Sequence, residues 1–298
     1  MVRRGLAVLP NSPQIRSPIQ ILIPTLNTWK HGSKRAPHKP LLLLLALGAY
    51  KNNRSLHWKD VDDELGQLLR QFGGASSKGT HYPFIRLQND GLWVVKGYEA
   101  VKGDARVTDL NADNPLAHLS PSLLQELNGN PAVLKTMVCQ LLDEHFSESM
   151  HAEILDSTGI AFNEVQTVIT KRRKRDPEFK NAVLNAYDRK CAVCGYGGRL
   201  NEISVGLEAA HIQWHAYGGP DTLINGIALC SLHHKLFDRG AFALDHEYKL
   251  IPSKRLNGPG ADDVVFKYAG EQIRLPRNQV EAPAVEYLKW QRVEVLQD

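Results

Sequence analysis

From Pro40 to Tyr50 the chain reads Pro-Leu-Leu-Leu-Leu-Leu-Ala-Leu-Gly-Ala-Tyr, apolar whichever way a helix is turned. A helix with no polar face is buried all round, and proline in the first turn suits the fixed φ of a helix start. The pattern predicts a central helix in an amino-terminal unit. A second helix is predicted over Lys59–Phe72, broken by the loop Gly73-Gly74-Ala-Ser-Ser-Lys-Gly79. Tyr82–Leu87 and Leu92–Val95 flank Asn89-Asp90-Gly91 and read as the paired strands of a hairpin. Helical spacing resumes over Pro121–Leu127 and Pro131–Phe146, with Ser120 and Asn130 placed to cap. A further helix is predicted over Pro177–Arg189. Short alternating runs follow at Tyr248–Ile251 and Val264–Tyr268, and a last helix spans Pro283–Leu296. The fold class is α+β.

At 298 residues the chain suits about two domains of roughly 150 residues. With 43% hydrophobic and 23% charged residues it is an ordinary globular sequence, which excludes collagen-like and disordered classes. The net charge of +4 conceals an asymmetry. Ten Lys or Arg residues precede the first carboxylate, Asp60, leaving 26 bases against 32 acids in the remainder. A basic amino-terminal segment points to a phosphate-rich partner, since neutralised phosphates release counterions. Between Thr136 and Thr170 there are six acids and no Lys or Arg, and then comes Lys171-Arg-Arg-Lys-Arg175. This reversal places a linker at 151–176, between a domain at 1–150 and another at 177–298. The opening residues lack the apolar run of a secretory signal, and no stretch approaches the ~18 apolar residues of a membrane span, so a cytoplasmic protein is expected.

Three of the four cysteines fall in one region. Cys191-Ala-Val-Cys194-Gly195 and Cys230-Ser-Leu-His233 are two half-sites whose spacing grips one tetrahedral ion. Three sulfurs and one nitrogen close the coordination sphere, so the expected ion is a structural Zn²⁺.

Between these half-sites lie Leu207-Glu-Ala-Ala-His211-Ile-Gln-Trp-His215, then Asn225, and directly after His233 comes His234. His211, Asn225 and His234, interleaved with the CxxC and CxxH knuckles, resemble the HNH endonucleases, over about Pro177 to Ala243. The resemblance implies a ββα-metal unit, a hairpin and helix around a divalent ion, that hydrolyses phosphodiesters. By that resemblance His211 is the general base, His234 binds a catalytic Mg²⁺ or Mn²⁺, and Asn225 fixes the loop carrying the base through the backbone or through His211. Imidazole suits the first role because its pKa of ~6.5 lets it take a proton from water near neutral pH. Where many relatives carry a metal ligand just before the base, this chain has Ala210. Glu208 is the expected substitute, with Asp221 and His215 behind it. Asp238, one helical turn after His234, reads either as a carboxylate orienting that imidazole or as a surface partner of Lys235 or Arg239.

Two amino-terminal segments, Arg35-Ala-Pro-His38-Lys39-Pro40 and His81-Tyr82-Pro83-Phe84-Ile-Arg86-Leu87, resemble the sulfur-binding domain of modification-dependent (type IV) restriction endonucleases that recognise phosphorothioated DNA. A sulfur replacing a phosphate oxygen is larger, more polarizable and poorly hydrated, and favours apolar surface of the kind Tyr82 and Pro83 offer. His38, Lys39 and Arg86 are the expected partners of phosphate charge and base edges. The chain thus reads as an amino-terminal helical/β DNA-recognition domain joined to a carboxy-terminal HNH domain with a zinc knuckle, acting on phosphorothioated duplex DNA. A nuclease recognising methylated or unmodified DNA, and a zinc-containing DNA-binding protein without catalysis, are the alternatives. One HNH site per chain implies a homodimer for a double-strand break.

Overall fold

The computed structural model describes residue 26 and residues 37–74, 79–98, 105–161 and 177–298. The basic run at 171–175 lies outside the described residues, as does most of the 73–79 loop.

The first unit is built around α1 (His38–Lys51). Every residue from Pro40 to Ala49 is buried, as a helix without a polar face requires. Packed around it are α2 (Trp58–Phe72), α3 (His81–Arg86), α6 (Pro131–His145) and the sheet strand β3 (Leu116–Leu119). The sheet has the order β1-β3-β2 and is antiparallel, with β1 (Leu56–His57) pairing Leu56 to Ala117 and β2 (Trp93–Val95) pairing Trp93 to Leu119. Between them run α4 (Val107–Asp113) and α5 (Pro121–Gly129). Ser120 and Asn130 cap α5 and α6 through Leu123 N–H and Ala132 N–H, each followed by proline at the helix start.

The hairpin expected around Asn89-Asp90-Gly91 does not form. Residues 81–86 are helical and continue into a 3₁₀ turn, Leu87–Asp90, that ends on Gly91 at φ 72°. Pro83, Phe84, Ile85 and Leu87 are all buried, and a continuous apolar cluster fits a short buried helix as well as a strand. Tertiary contacts decide between them: Trp93 Nε1 donates to the Phe84 carbonyl at 2.9 Å, and β2 finds its strand partner in β3.

The linker expected at 151–176 is also partly structured. Helix α7 (Glu148–Ser157) sends Met150, Ile154 and Leu155 into the first core, and Ile160 follows them. The chain after α7 lies directly on α1. A Cβ on Gly48 would stand 1.8 Å from the Thr158 carbonyl oxygen, so only glycine admits that approach.

The second unit begins with α8 (Pro177–Ala186) and the Cys191–Gly195 knuckle, and passes through the short pair β4 (Arg199–Leu200) and β5 (Ile203–Ser204). Its centre is an antiparallel hairpin, β6 (Leu207–His211) with β7 (Gly226–Cys230), followed at once by α9 (Ser231–Asp238). Strands β8 (Phe242–Leu244) and β9 (Leu250–Pro252), a helical turn α10 (Ala261–Val264) and α11 (Val285–Glu294) complete it. Of the two alternating runs, the first contributes β9, whereas Val264–Tyr268 forms helical turns. The units are not separate bodies, because Trp214, Trp290 and Val295 from the second half sit in the core of the first. Among the described residues no helix is long and apolar enough to cross a membrane.

Candidate active site

The ligating atoms of Cys191, Cys194, Cys230 and His233 lie within 4.8 Å of one another. The knuckle is closed by Gly195 N–H donating to the Cys191 carbonyl at 2.9 Å, with Gly195 at φ 73°. The other two ligands come from the junction of β7 with α9, where His233 Nδ1 is 3.1 Å from Cys230 Sγ and 3.7 Å from Cys191 Sγ. His233 Nε2 lies 2.9 Å from the Val264 carbonyl; donating there leaves the Nδ1 lone pair for an ion. Burial pushes the Cys230 thiol up to about 12 and raises that of Cys194. Gathering such sulfurs as anions takes a cation, and the three-sulfur, one-nitrogen set fits zinc.

One residue along α9, His234 is held between two carboxylates. Its Nδ1 is 2.6 Å from Glu208 Oε2 and its Nε2 is 3.2 Å from Asp238 Oδ2. Burial opposes a charge on this imidazole, yet the two carboxylates outweigh it and raise His234 to about 9. Glu208 moves the other way, down to about 2, through its hydrogen bond to His234 against the cost of burial, helped by Ser231 Oγ donating to Oε1 at 2.7 Å and by the Lys180 ammonium. Glu208 is 43% exposed at its side chain, so a carboxylate oxygen and an imidazole nitrogen meet at a solvent-facing mouth. An oxygen–nitrogen pair with room for water suits a hard divalent ion.

His211 ends β6, three residues after Glu208 and roughly 10 Å further along the strand at ~3.3 Å per residue. Its Nε2 is 2.6 Å from Asp221 Oδ1, and its ring stacks on Phe179 with centroids 4.3 Å apart and planes 16° from parallel. Asp221 therefore stands on the base rather than beside Glu208, and His215, 6.5 Å from His211 between ring centroids, belongs to the same side. The first turn of α8 joins the two groups, since Phe179 covers His211 and its neighbour Lys180 acts on Glu208. Asn225 is fully buried. Its Oδ1 accepts from Gln213 N–H at 2.9 Å, and its Nδ2 donates to the carbonyls of Gln213 and Pro220, both at 3.0 Å. It ties down the 212–220 loop through backbone.

The family model for an HNH endonuclease matches residues 191–245, and that for a ScoMcrA-like DNA sulfur-binding domain matches residues 17–163. The chain joins a DNA sulfur-binding domain to an HNH endonuclease domain. Among solved structures, the sulfur binding domain of ScoMcrA complexed with phosphorothioated DNA is 22% identical, with a TM-score of 0.41 over 49% of this chain and 94% of that one. The modification-dependent TagI restriction endonuclease is 19% identical, with a TM-score of 0.32 over 40% of this chain and 38% of that one. The type IV phosphorothioation-dependent restriction endonuclease ScoMcrA is 15% identical, with a TM-score of 0.35 over 69% and 81%. No curated protein matches.

In the sulfur-binding domain, the side chain of Tyr82 is on the surface, with Arg86 Cζ 4.8 Å from its ring centroid and the His81 ring 3.9 Å away. Pro83, expected to share that surface, is buried in α3. The exposed apolar area here is therefore the tyrosine's. Gly79, at φ 89°, leaves room for the same ring, since a Cβ there would come within 2.8 Å of it. His38 and Lys39 open α1, both partly buried, and Lys39 Nζ is 2.5 Å from the buried carboxylate of Asp90. Sequence reasoning missed the orienting role of Asp221 and the Phe179 stack. Asp221 was visible only as a spare carboxylate near the metal position, and Phe179 carried no signal beyond an apolar residue in a helix.

Proposed function

We propose that the protein is a modification-dependent restriction endonuclease that binds phosphorothioated double-stranded DNA through its sulfur-binding domain and hydrolyses phosphodiester bonds nearby, acting in the cytoplasm. The union of the two domains on one shared core carries this reading, with strand β6 of the HNH hairpin presenting His211 to Asp221 of the next loop and Glu208 to His234 of α9. Asp221, 2.6 Å from Nε2 of His211, holds that imidazole in place to take the proton of the attacking water. The Phe179 stack fixes the plane of the ring, and Asn225 holds the loop that brings Asp221 round to it. Glu208 and His234 would hold Mg²⁺ or Mn²⁺, which when bound supplies positive charge against the charge that develops on the phosphate. Zinc in the Cys191, Cys194, Cys230 and His233 cluster would be structural.

Recognition would centre on Tyr82. Its exposed edge offers the polarizable surface a sulfur atom prefers, while Arg86 and His38 meet phosphate and base edges; Lys39, expected to join them, is instead committed to the buried Asp90 carboxylate. Incubation with matched duplexes in Mn²⁺, one bearing a stereodefined phosphorothioate, should give cleavage of the sulfur-bearing duplex alone. Tyr82→Ala should weaken binding to that duplex about tenfold, the equivalent of ~1.4 kcal/mol for a sulfur–aromatic contact. Equal cleavage of both duplexes would leave an HNH nuclease of another specificity. Since one site hydrolyses one strand, we infer a homodimer on DNA. The mass of the DNA complex should correspond to two chains, and double-strand cutting by a bound single chain would refute this.

A further inference from the structure

Asp238 closes α9 with its side chain 1% exposed. A carboxylate so removed from water is stable only if its oxygens are fully engaged. Here the donors are His234 Nε2 at 3.2 Å, Ser147 Oγ at 2.7 Å and Ser149 Oγ on Oδ2, and Trp214 Nε1 at 3.2 Å on Oδ1. Only His234 belongs to α9. Ser147 and Ser149 begin α7 of the sulfur-binding domain, and Trp214 is packed in that domain's core.

Ser147 shows where its hydroxyl is committed. It occupies the N-cap position of α7, where a serine side chain ordinarily accepts a backbone N–H from the first turn, and no such bond is made. The hydroxyl is turned toward Asp238 and donates to it. Further contacts tie α9 to α7 and to α2. Glu153 of α7 pairs with Arg239 and with Lys235 at 3.5 Å, and Arg239 Cζ lies 5.1 Å from the centroid of Phe72 in α2.

We propose that Asp238 is a positioning residue for His234, and that the sulfur-binding domain completes the nuclease site by supplying Ser147 and Ser149 to hold that carboxylate. Partners behind a metal-ligating histidine orient its ring and fix its tautomer, and removing them commonly costs 10–100-fold in metal affinity or activity. Here those partners reach across the domain boundary, so the nuclease site depends on how the recognition domain is seated. This inference rests on the reading of Glu208 and His234 as ligands of the catalytic ion.

The test uses the full, zinc-loaded chain carrying Ser147→Ala and Ser149→Ala together. Mn²⁺ binding, followed by electron paramagnetic resonance, should weaken 10–100-fold, and the cleavage rate at limiting Mn²⁺ should fall in step. Affinity for the phosphorothioated duplex should stay within twofold of the parent. Ser147→Thr with Ser149→Thr, which restores both hydroxyls, should recover Mn²⁺ affinity, a rescue that a merely structural role does not predict. Unchanged Mn²⁺ affinity in the double alanine variant would overturn the proposal. A parent that binds Mn²⁺ but cuts no duplex would instead overturn the functional reading, while the comparison of Mn²⁺ affinities still decides the role of the serines. Asp238→Asn, which keeps the shape and removes the charge, should weaken Mn²⁺ binding in the same direction, and unaltered binding there would also count against it.

Discussion

Replacing His211 with alanine should lower the cleavage rate by ~10²–10⁴-fold, the usual contribution of a positioned general base. The site explains why the loss is confined to chemistry. The His211 side chain is 26% exposed at the end of β6, so its removal uncovers one face of Phe179 without opening the core, and the zinc cluster and Tyr82 lie on other elements. Zinc content and affinity for the phosphorothioated duplex should therefore match the parent, while single-turnover cleavage under saturating Mn²⁺ collapses. Asp221→Ala keeps the imidazole but removes the group that holds it in place, and should cost less, roughly 10²-fold as a misplaced catalytic group does. Cleavage by His211→Ala at the parent rate would remove His211 from the mechanism. Equal losses in His211→Ala and Asp221→Ala would mean that an unoriented imidazole contributes nothing.

The second large effect concerns the metal knuckle. Cys230→Ser should leave the chain with less than one equivalent of zinc and without the cooperative thermal transition of its HNH unit. Zinc binding supplies ~10–16 kcal/mol in small zinc-folded peptides at pH 7, as much as or more than the ~5–15 kcal/mol that holds a whole domain together. The knuckle has particular leverage here because it joins the segment after α8 to the junction of β7 and α9, and the residue following its last ligand is His234. Losing the ion should unseat the start of α9 and abolish cleavage even at high Mn²⁺. Metal analysis by mass spectrometry, alongside melting followed by circular dichroism, measures both quantities. A Cys230→Ser protein that melts and cuts like the parent would show that the cluster is not structural.

Much of the nuclease unit is legible in the chain's local patterns. The CxxC and CxxH spacings, the order of His211, Asn225 and His234, and the helix that carries the last of these are local features, fixed by residue type and short separations. The same holds for α1, whose leucines leave no polar face, and for α5 and α6, whose caps and prolines mark their starts. Local signals failed where a short segment had two self-consistent conformations. Residues 82–87 satisfy a strand pattern as well as a buried helical turn, and the choice fell to Trp93 and β3, residues outside the segment. At the first turns of the expected linker, charge and packing disagree for a related reason. Charge marked residues 151–161 as a connection, but Ile154, Leu155 and Ile160 had core positions against α1 to fill.

The chain's local patterns alone mark the Cys191, Cys194, Cys230 and His233 cluster, the buried central helix of the recognition unit and the basic bias of its amino-terminal end, while the ββα order of the nuclease unit is what its resemblance to HNH endonucleases implies. Tertiary contacts put Asp221 on His211 rather than beside Glu208, and they chose the orienting role of Asp238 over the surface pairing that its place one turn after His234 also allowed. They alone brought Ser147 and Ser149 against Asp238, 91 and 89 residues away along the chain. The reason is physical. Metal knuckles, helix caps and pairs one helical turn apart are written in neighbouring residues, whereas the remaining partners of a buried charge are whichever donors the packing of distant elements brings within about 3 Å, and no spacing in the chain encodes those.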